Sequence, residues 1–145
     1  MPSNYEIFWE KSRFALVGNS AKTSFPELSY KELKKKGKKV FAIDASADTI
    51  CGDKTYKDLE SLPSSVEGVV LEVPKGESDY WVKKAAQAGV KDVWIHMGME
   101  SPEALETGRK LGLNVRHGTC AVLYLKKGFS YHSIHRGIVK LLKKF

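Results

Sequence analysis

A doubly wound α/β fold, one parallel sheet covered by helices on both faces, is the architecture this sequence predicts. Three observations predict it. Short apolar runs recur at "RFALVG" (13–18), "KVFAID" (39–44), "VEGVVLEVP" (66–74), "KDVWIHMG" (91–98) and "LNVRHG" (113–118). Runs of this kind suit strands buried on both faces. Segments of helical spacing separate most of them, and the links are short, so right-handed crossovers wind the strands into one parallel sheet.

Each element has its own grounds. Ser3 followed by Glu6 is a capping-box pattern, opening a short helix that offers Phe8 and Trp9 to the core. After the first strand comes the helix "PELSYKELKKKG" (26–37): Pro26 suits its first turn, Leu28 and Leu33 give an inner face, and Gly37 ends it. Residues 45–65 predict loop, with one helical turn at "YKDLESL" (56–62), and Pro74 stops the third strand. "SDYWVKKAAQAG" (78–89) has helical spacing through Trp81, Val82, Ala85 and Ala86 and closes on Gly89. "SPEALETGRKLG" (101–112) is a helix capped by Ser101, with Pro102 at its first position and Gly112 as stop. A last apolar stretch, "AVLYL" (121–125), leads to a basic helix near 131–144. The predicted organisation is one Rossmann-like domain over 1–125 and a helical extension over 126–145, packed on that domain or on a partner subunit.

Composition narrows the class. At 145 residues the chain has the length of one domain with a real core, and its 42% hydrophobic and 28% charged residues are those of a globular protein. No apolar run approaches the ~20 residues of a membrane span. The opening "MPSNYEIFWEKS" carries Glu6 and Glu10 and no apolar signal core, so export is not expected. Cys51 and Cys120 lie far apart in no paired motif; no disulfide is expected, and the cytoplasm is the default compartment. The net charge of +7 is uneven: residues 126–145 hold six bases and no acid, leaving 18 bases against 17 acids elsewhere. Nucleic-acid binding would therefore have to rest on the tail, not on the body.

In sheets of this kind ligands bind outside the carboxyl ends of the strands, where the winding reverses. That rule points to Gly18–Ser24, Asp44–Ser46, Val73–Gly76 and His96–Glu100. The first of these, in "FALVGNSAKTSF" (14–25), reads as a strand running into a loop that opens a helix. It has one glycine where a dinucleotide-binding loop has three. Gly18 is expected to supply the tight turn, Asn19 and Ser20 side-chain donors, successive amides an anion-binding concavity, and Lys22 a mobile charge. The alternative is a plain strand-to-helix turn whose polar residues only cap it.

The segments "ALVGNS", "KVFAIDASADTICGDKTYKDLESLP", "VEGVVLEVP", "KDVWIHMGMES" and "GLNVRHGTC" occur in one order and spacing. Together they resemble the small CoA-binding proteins, single Rossmann-like domains related to the CoA-binding domain of succinyl-CoA synthetase, over roughly residues 12–121. The resemblance implies binding of coenzyme A or an acyl-CoA. Amides from Gly18, Asn19, Ser20 and Ala21, with Lys22, would hold the pyrophosphate. Asp44, Ala45, Val73, Pro74 and Lys75 would flank the adenosine and pantetheine path, and Met97 and Gly98 would line the pocket. The second strand ends in Asp44-Ala45 where the family commonly has Asn-Pro. An acid there is what NAD-binding folds use on ribose hydroxyls, so an NAD(P)-binding redox or sensor protein is the competing expectation. The plainer reading of Asp44 is a solvated carboxylate, and a scaffold without a ligand, working through its tail, is the third.

The remaining constellations carry less. His132 and His135 stand i, i+3 on the tail helix, but no metal-site spacing ties them to His96, His117, Cys51 or Cys120, so no metal is expected. Cys120 matches a family cysteine, yet nothing near it in sequence supplies a base, and a small buried hydrophobe is the expectation. Asp44, Asp48, Glu72 and Asp79 are scattered, which gives paired-carboxylate chemistry no support, and no catalytic centre is expected. The tail stripe Ile134, Ile138, Leu141, Leu142 and Phe145 predicts docking on the domain or on a second copy, and a homodimer is favoured. Its shortness and lack of aromatic interleaving argue against membrane and nucleic acid.

Overall fold

The computed structural model describes residues 8–22 and 25–119. Five parallel strands form the sheet: β1 (Arg13–Gly18), β2 (Lys39–Ile43), β5 (Gly68–Glu72), β6 (Asp92–His96) and β7 (Asn114–Thr119), in the order β2-β1-β5-β6-β7. Among the described residues three helices cover it: α1 (Phe25–Lys35), α2 (Ser78–Gln87) and α3 (Pro102–Lys110). This is the doubly wound, Rossmann-like fold expected. The winding runs outward from β1 to β2, then crosses back to β5 on β1's other side, so the reversal falls between β1 and β5.

Alternation within each strand divides the core in two. Phe14 and Leu16 of β1, Val70 of β5 and Trp94 of β6 pack with Tyr30 and Leu33 of α1 and with Phe8 and Trp9. Ala15, Val17, Val69, Leu71, Val93 and Ile95 point the other way, against Val82 and Ala85 of α2 and Ala104 of α3. Both faces are buried, which is why these strands read as continuous apolar runs. Each large side chain enclosed this way contributes roughly 1.5–3 kcal/mol.

Local chemistry sets the boundaries. The Ser101 side chain accepts the Ala104 amide at 3.1 Å, as its place before Pro102 predicts. Gly37, Gly89 and Gly112, expected to end the helices, all have positive φ.

The stretch 45–65 departs from expectation. It contains a hairpin of β3 (Thr49–Ile50) and β4 (Asp53–Lys54), turned by Cys51 and Gly52 with φ of 50° and 85°. Two successive positive φ values are the signature of a tight two-residue hairpin turn. The helical turn expected at 56–62 is absent. Tyr56 instead bridges to the edge of β2, its amide donating to the Ala42 carbonyl at 2.8 Å. Asp58 then holds a turn by accepting the Ser61 amide. The expected capping box at Ser3, the stretch 121–125, the helix near 131–144 and the extension 126–145 lie outside the described residues.

Candidate functional site

The row of residues at the carboxyl edge follows from the alternation already described. Gly18 pairs in register with Glu72, and His96 lies one residue beyond the Leu71↔Ile95 pair. All three share the parity of Leu16, Val70 and Trp94, and so point to the face that α1 covers. A Cβ on Gly18 would lie 2.5 Å from Cγ and 2.8 Å from Cβ of Pro26. Gly18 is thus glycine because the start of α1 presses on β1 there. It is the last strand residue and not among the glycines of positive φ, which corrects its expected role as a tight turn.

The loop that follows is pinned from β2. The Ser20 amide donates to Asp44 Oδ2 at 2.9 Å. Asp44 Oδ1 accepts the Ser46 amide at 2.8 Å and the Ser46 hydroxyl, whose oxygen in turn accepts the Ala21 amide at 3.3 Å. The Lys22 amide closes the turn onto the Asn19 carbonyl at 3.0 Å. Asp44 is 2% exposed, so it is not the solvated carboxylate of the plainer reading. Burial pushes its carboxyl up, but the hydrogen bonds from Ser46 and Ser20 outweigh that and hold it below the usual range.

The other expected residues gather at the same edge. Val73 is buried behind β5, Pro74 is half-buried, and Lys75 is exposed in a single 3₁₀ turn. Met97 is exposed, and Gly98 has φ of 86° in the turn that the Met99 amide closes onto His96. The Ser78 hydroxyl donates to the Met99 carbonyl at 2.5 Å, tying the end of β6 to the start of α2. Ala45, Ala21 and Lys22 are exposed. Direct hydrogen bonds join the Asn19–Lys22 loop to Asp44 and Ser46. Val73–Lys75 and Met97–Gly98 stand on the neighbouring strand ends.

Beneath the loop lies a buried polar group whose members the sequence reading named separately and did not join. Glu72 is 1% and His96 2% exposed. The Ser29 hydroxyl donates to Glu72 Oε2 at 2.7 Å, and the same oxygen lies 3.4 Å from His96 Nδ1. The Phe25 ring rests on the imidazole with centroids 4.3 Å apart. Burial pushes the Glu72 carboxyl up, more than its contacts with His96 and Ser29 pull it down. A signal was present: alternation through "VVLE" and "VWIH" puts Glu72 and His96 on the α1 face. Ser46 lies in the Asp44–Ser46 stretch that topology singled out, but its bond to Asp44 was not read, although Asp-x-Ser is a turn pattern in which the acid accepts the amide two residues on. Among the described residues no three His, Cys, Asp or Glu side chains are grouped to hold a metal, and no helix is long and apolar enough to cross a membrane. Cys120, His132 and His135 lie outside the described residues.

The chain matches the family model described as CoA binding domain over residues 12–126. It belongs to that CoA-binding family. Solved structures agree in fold. A conserved hypothetical protein from Pyrococcus furiosus is 31% identical with a TM-score of 0.70, over 77% of this chain and 97% of that one. A hypothetical protein from Pyrococcus horikoshii OT3 is 26% identical with a TM-score of 0.71, over 81% and 84%. Acetyl-coenzyme A synthetase 1 of Ca. Korarchaeum cryptofilum is 25% identical with a TM-score of 0.59, over 72% of this chain but 25% of that one. The CoA-binding domain thus spans most of this chain and resembles a segment of that synthetase.

Proposed function

We propose that the protein binds coenzyme A or an acyl-CoA at the carboxyl edge of the sheet, as a binding protein that acts through its ligand. The observation that carries the reading is convergence. The family match covers residues 12–126, and its loop segments meet where the winding reverses between β1 and β5, the place where such sheets take ligands. The residues suit a phosphate-bearing nucleotide. Lys22 is exposed on the loop, and Asn19 Oδ1 is buried there without a partner, an acceptor that a ligand hydroxyl or amide would satisfy. Gly18, Asn19, Ser20, Ala21 and Lys22 would form the pyrophosphate seat. Asp44, Ala45, Val73, Pro74 and Lys75 would flank the remainder, with Met97 and Gly98 at its end.

Asp44 bears on the competitor. In an NAD(P) site its carboxylate would accept ribose hydroxyls. Here its two oxygens hold Ser20 and Ser46, and the side chain is buried. Ribose recognition would first have to break those bonds, which favours CoA over NAD(P). We also propose that the protein is a homodimer closed by its tail.

Thermal melting separates the two ligands. CoA should raise the melting temperature and NAD should not, with a gain of about 2.7 kcal/mol at a hundredfold excess over the dissociation constant. A shift with NAD and none with CoA would overturn the CoA reading.

A further inference from the structure

The Glu72–His96 pair has no part in holding a pyrophosphate, yet it lies directly under the segment proposed to do so. Gly18, the residue before the loop, is the register partner of Glu72. Ser29 and Phe25, which touch Glu72 and His96, belong to the helix that the loop opens. Three polar atoms at this edge are buried without a hydrogen-bond partner: Asn19 Oδ1, Glu72 Oε1 and His96 Nδ1. A buried ionisable pair is no more stabilising than apolar side chains of the same size. Buried titratable groups set beside a binding crevice are characteristic of functional sites.

We propose that Glu72 and His96 form a proton-binding pair coupled to the ligand loop, so that an anion seated at residues 19–22 draws a proton onto the pair. The proposal rests on the anion-binding reading above. With one proton the pair is neutral overall, whichever residue carries it. A second proton leaves a net positive charge in a poorly solvated place, which is costly unless a negative charge lies near. A bound phosphate supplies that charge.

The surroundings permit this coupling. α1 brings Phe25, Pro26 and Ser29 to the pair and no charged side chain, and β1 brings Gly18. The charged groups along this edge are Lys22 on the loop, Asp44 on its β2 side, Lys75 after β5, Glu100 after β6 and His117 on β7, with Glu100 Oε2 and His117 Nδ1 3.8 Å apart. Asp44 and Glu100 favour an added proton, and Lys22 and Lys75 oppose it until a bound anion offsets their charge. His117 is half-exposed, so the test must isolate the pair. The sign follows: ligand binding raises the pair's affinity for protons. Ligand affinity is therefore full at low pH and falls as pH rises through the ligand-bound titration.

Calorimetric titration of the full chain with CoA, between about pH 6 and 8 in two buffers of different ionisation enthalpy, reads the protons taken up. Uptake in the wild type should approach about one proton per CoA, and affinity should fall by up to about tenfold per pH unit. Glu72→Gln keeps the side chain's shape and an acceptor for Ser29, and should lose at least half of that uptake. Protonation of CoA's own phosphates is common to both proteins and cancels in the difference. Equal uptake by the two proteins overturns the proposal. Should Glu72→Gln fail to fold, Ser29→Ala must shift the pH of maximal uptake, and an unmoved maximum overturns it. Should CoA not bind at all, the proposed function falls, and NMR of the free protein still judges the pair. The His96 imidazole and the Asn19–Lys22 amides should then titrate with one midpoint; separate midpoints overturn the coupling.

Discussion

The Asp44 carboxylate accepts the backbone amide of Ser20 at 2.9 Å, joining the loop after β1 to the end of β2 across 24 residues. The same side chain holds Ser46, whose hydroxyl accepts the Ala21 amide. Two of the loop amides are therefore already directed at β2, and the loop has its shape before any ligand arrives. Preorganisation of this kind lowers the ordering cost of binding. With the Ser20 and Ala21 amides engaged in this way, the phosphate seat proposed above would lean on the charge of Lys22.

Removing that anchor should loosen the loop and destabilise the fold. Asp44→Ala leaves the Ser20 amide and the Ser46 groups without their acceptor, which costs about 1–3 kcal/mol. The pH dependence has a definite sign. The Asp44 carboxyl is held below its ordinary value in the folded protein. Its contribution is thus present above the unfolded value of about 3.9 and is lost as pH falls through the folded one. Denaturant melts of wild type and Asp44→Asn should differ most near neutrality and converge toward acid. A constant difference down to pH 2 would assign the effect to packing instead.

Gly18 makes a second, separable prediction. Gly18→Ala places a methyl against the rigid ring of Pro26 and should cost about 1–3 kcal/mol. The cause can be isolated with Pro26→Gly, which removes both clashing carbons. The double variant should be less destabilised than the sum of the singles by about 1 kcal/mol or more. Additive losses would mean that Gly18 answers to something other than the start of α1.

How far the sequence carried is clearest at these residues. The five strands and three helices were legible because burial on both faces writes continuous apolar runs, and Ser101, Pro102 and Gly112 punctuate a helix in the usual way. The reversal between β1 and β5, where such sheets take ligands, was legible too, since it follows from the order of the elements alone. The reason for Gly18 was not: contact with Pro26 depends on how α1 leans on β1, which no local pattern encodes. The burial of Asp44 escaped notice because its partners Ser20 and Ser46 are ordinary loop residues until the loop closes on them. The hairpin at Thr49–Lys54 was hidden by two-residue strands, too short to show any period.

The tail prompts the last prediction. In sequence, Ile134, Ile138, Leu141, Leu142 and Phe145 have the spacing of one helical face, with Arg136, Lys140, Lys143 and Lys144 between them. Leaving such residues in water forfeits roughly 1.5–3 kcal/mol each, more than a free arm can sustain. Helices already cover both faces of the sheet, α1 on one and α2 with α3 on the other. The stripe is therefore expected to meet its counterpart on a second copy, with the lysines at the rim. Deleting residues 130–145 should yield a monomer that still binds CoA, because the residues proposed for the ligand all precede Met99. Light scattering that finds the full chain monomeric at high concentration would refute the dimer. A deletion that abolished CoA binding would place the tail over the ligand, its lysines meeting phosphate.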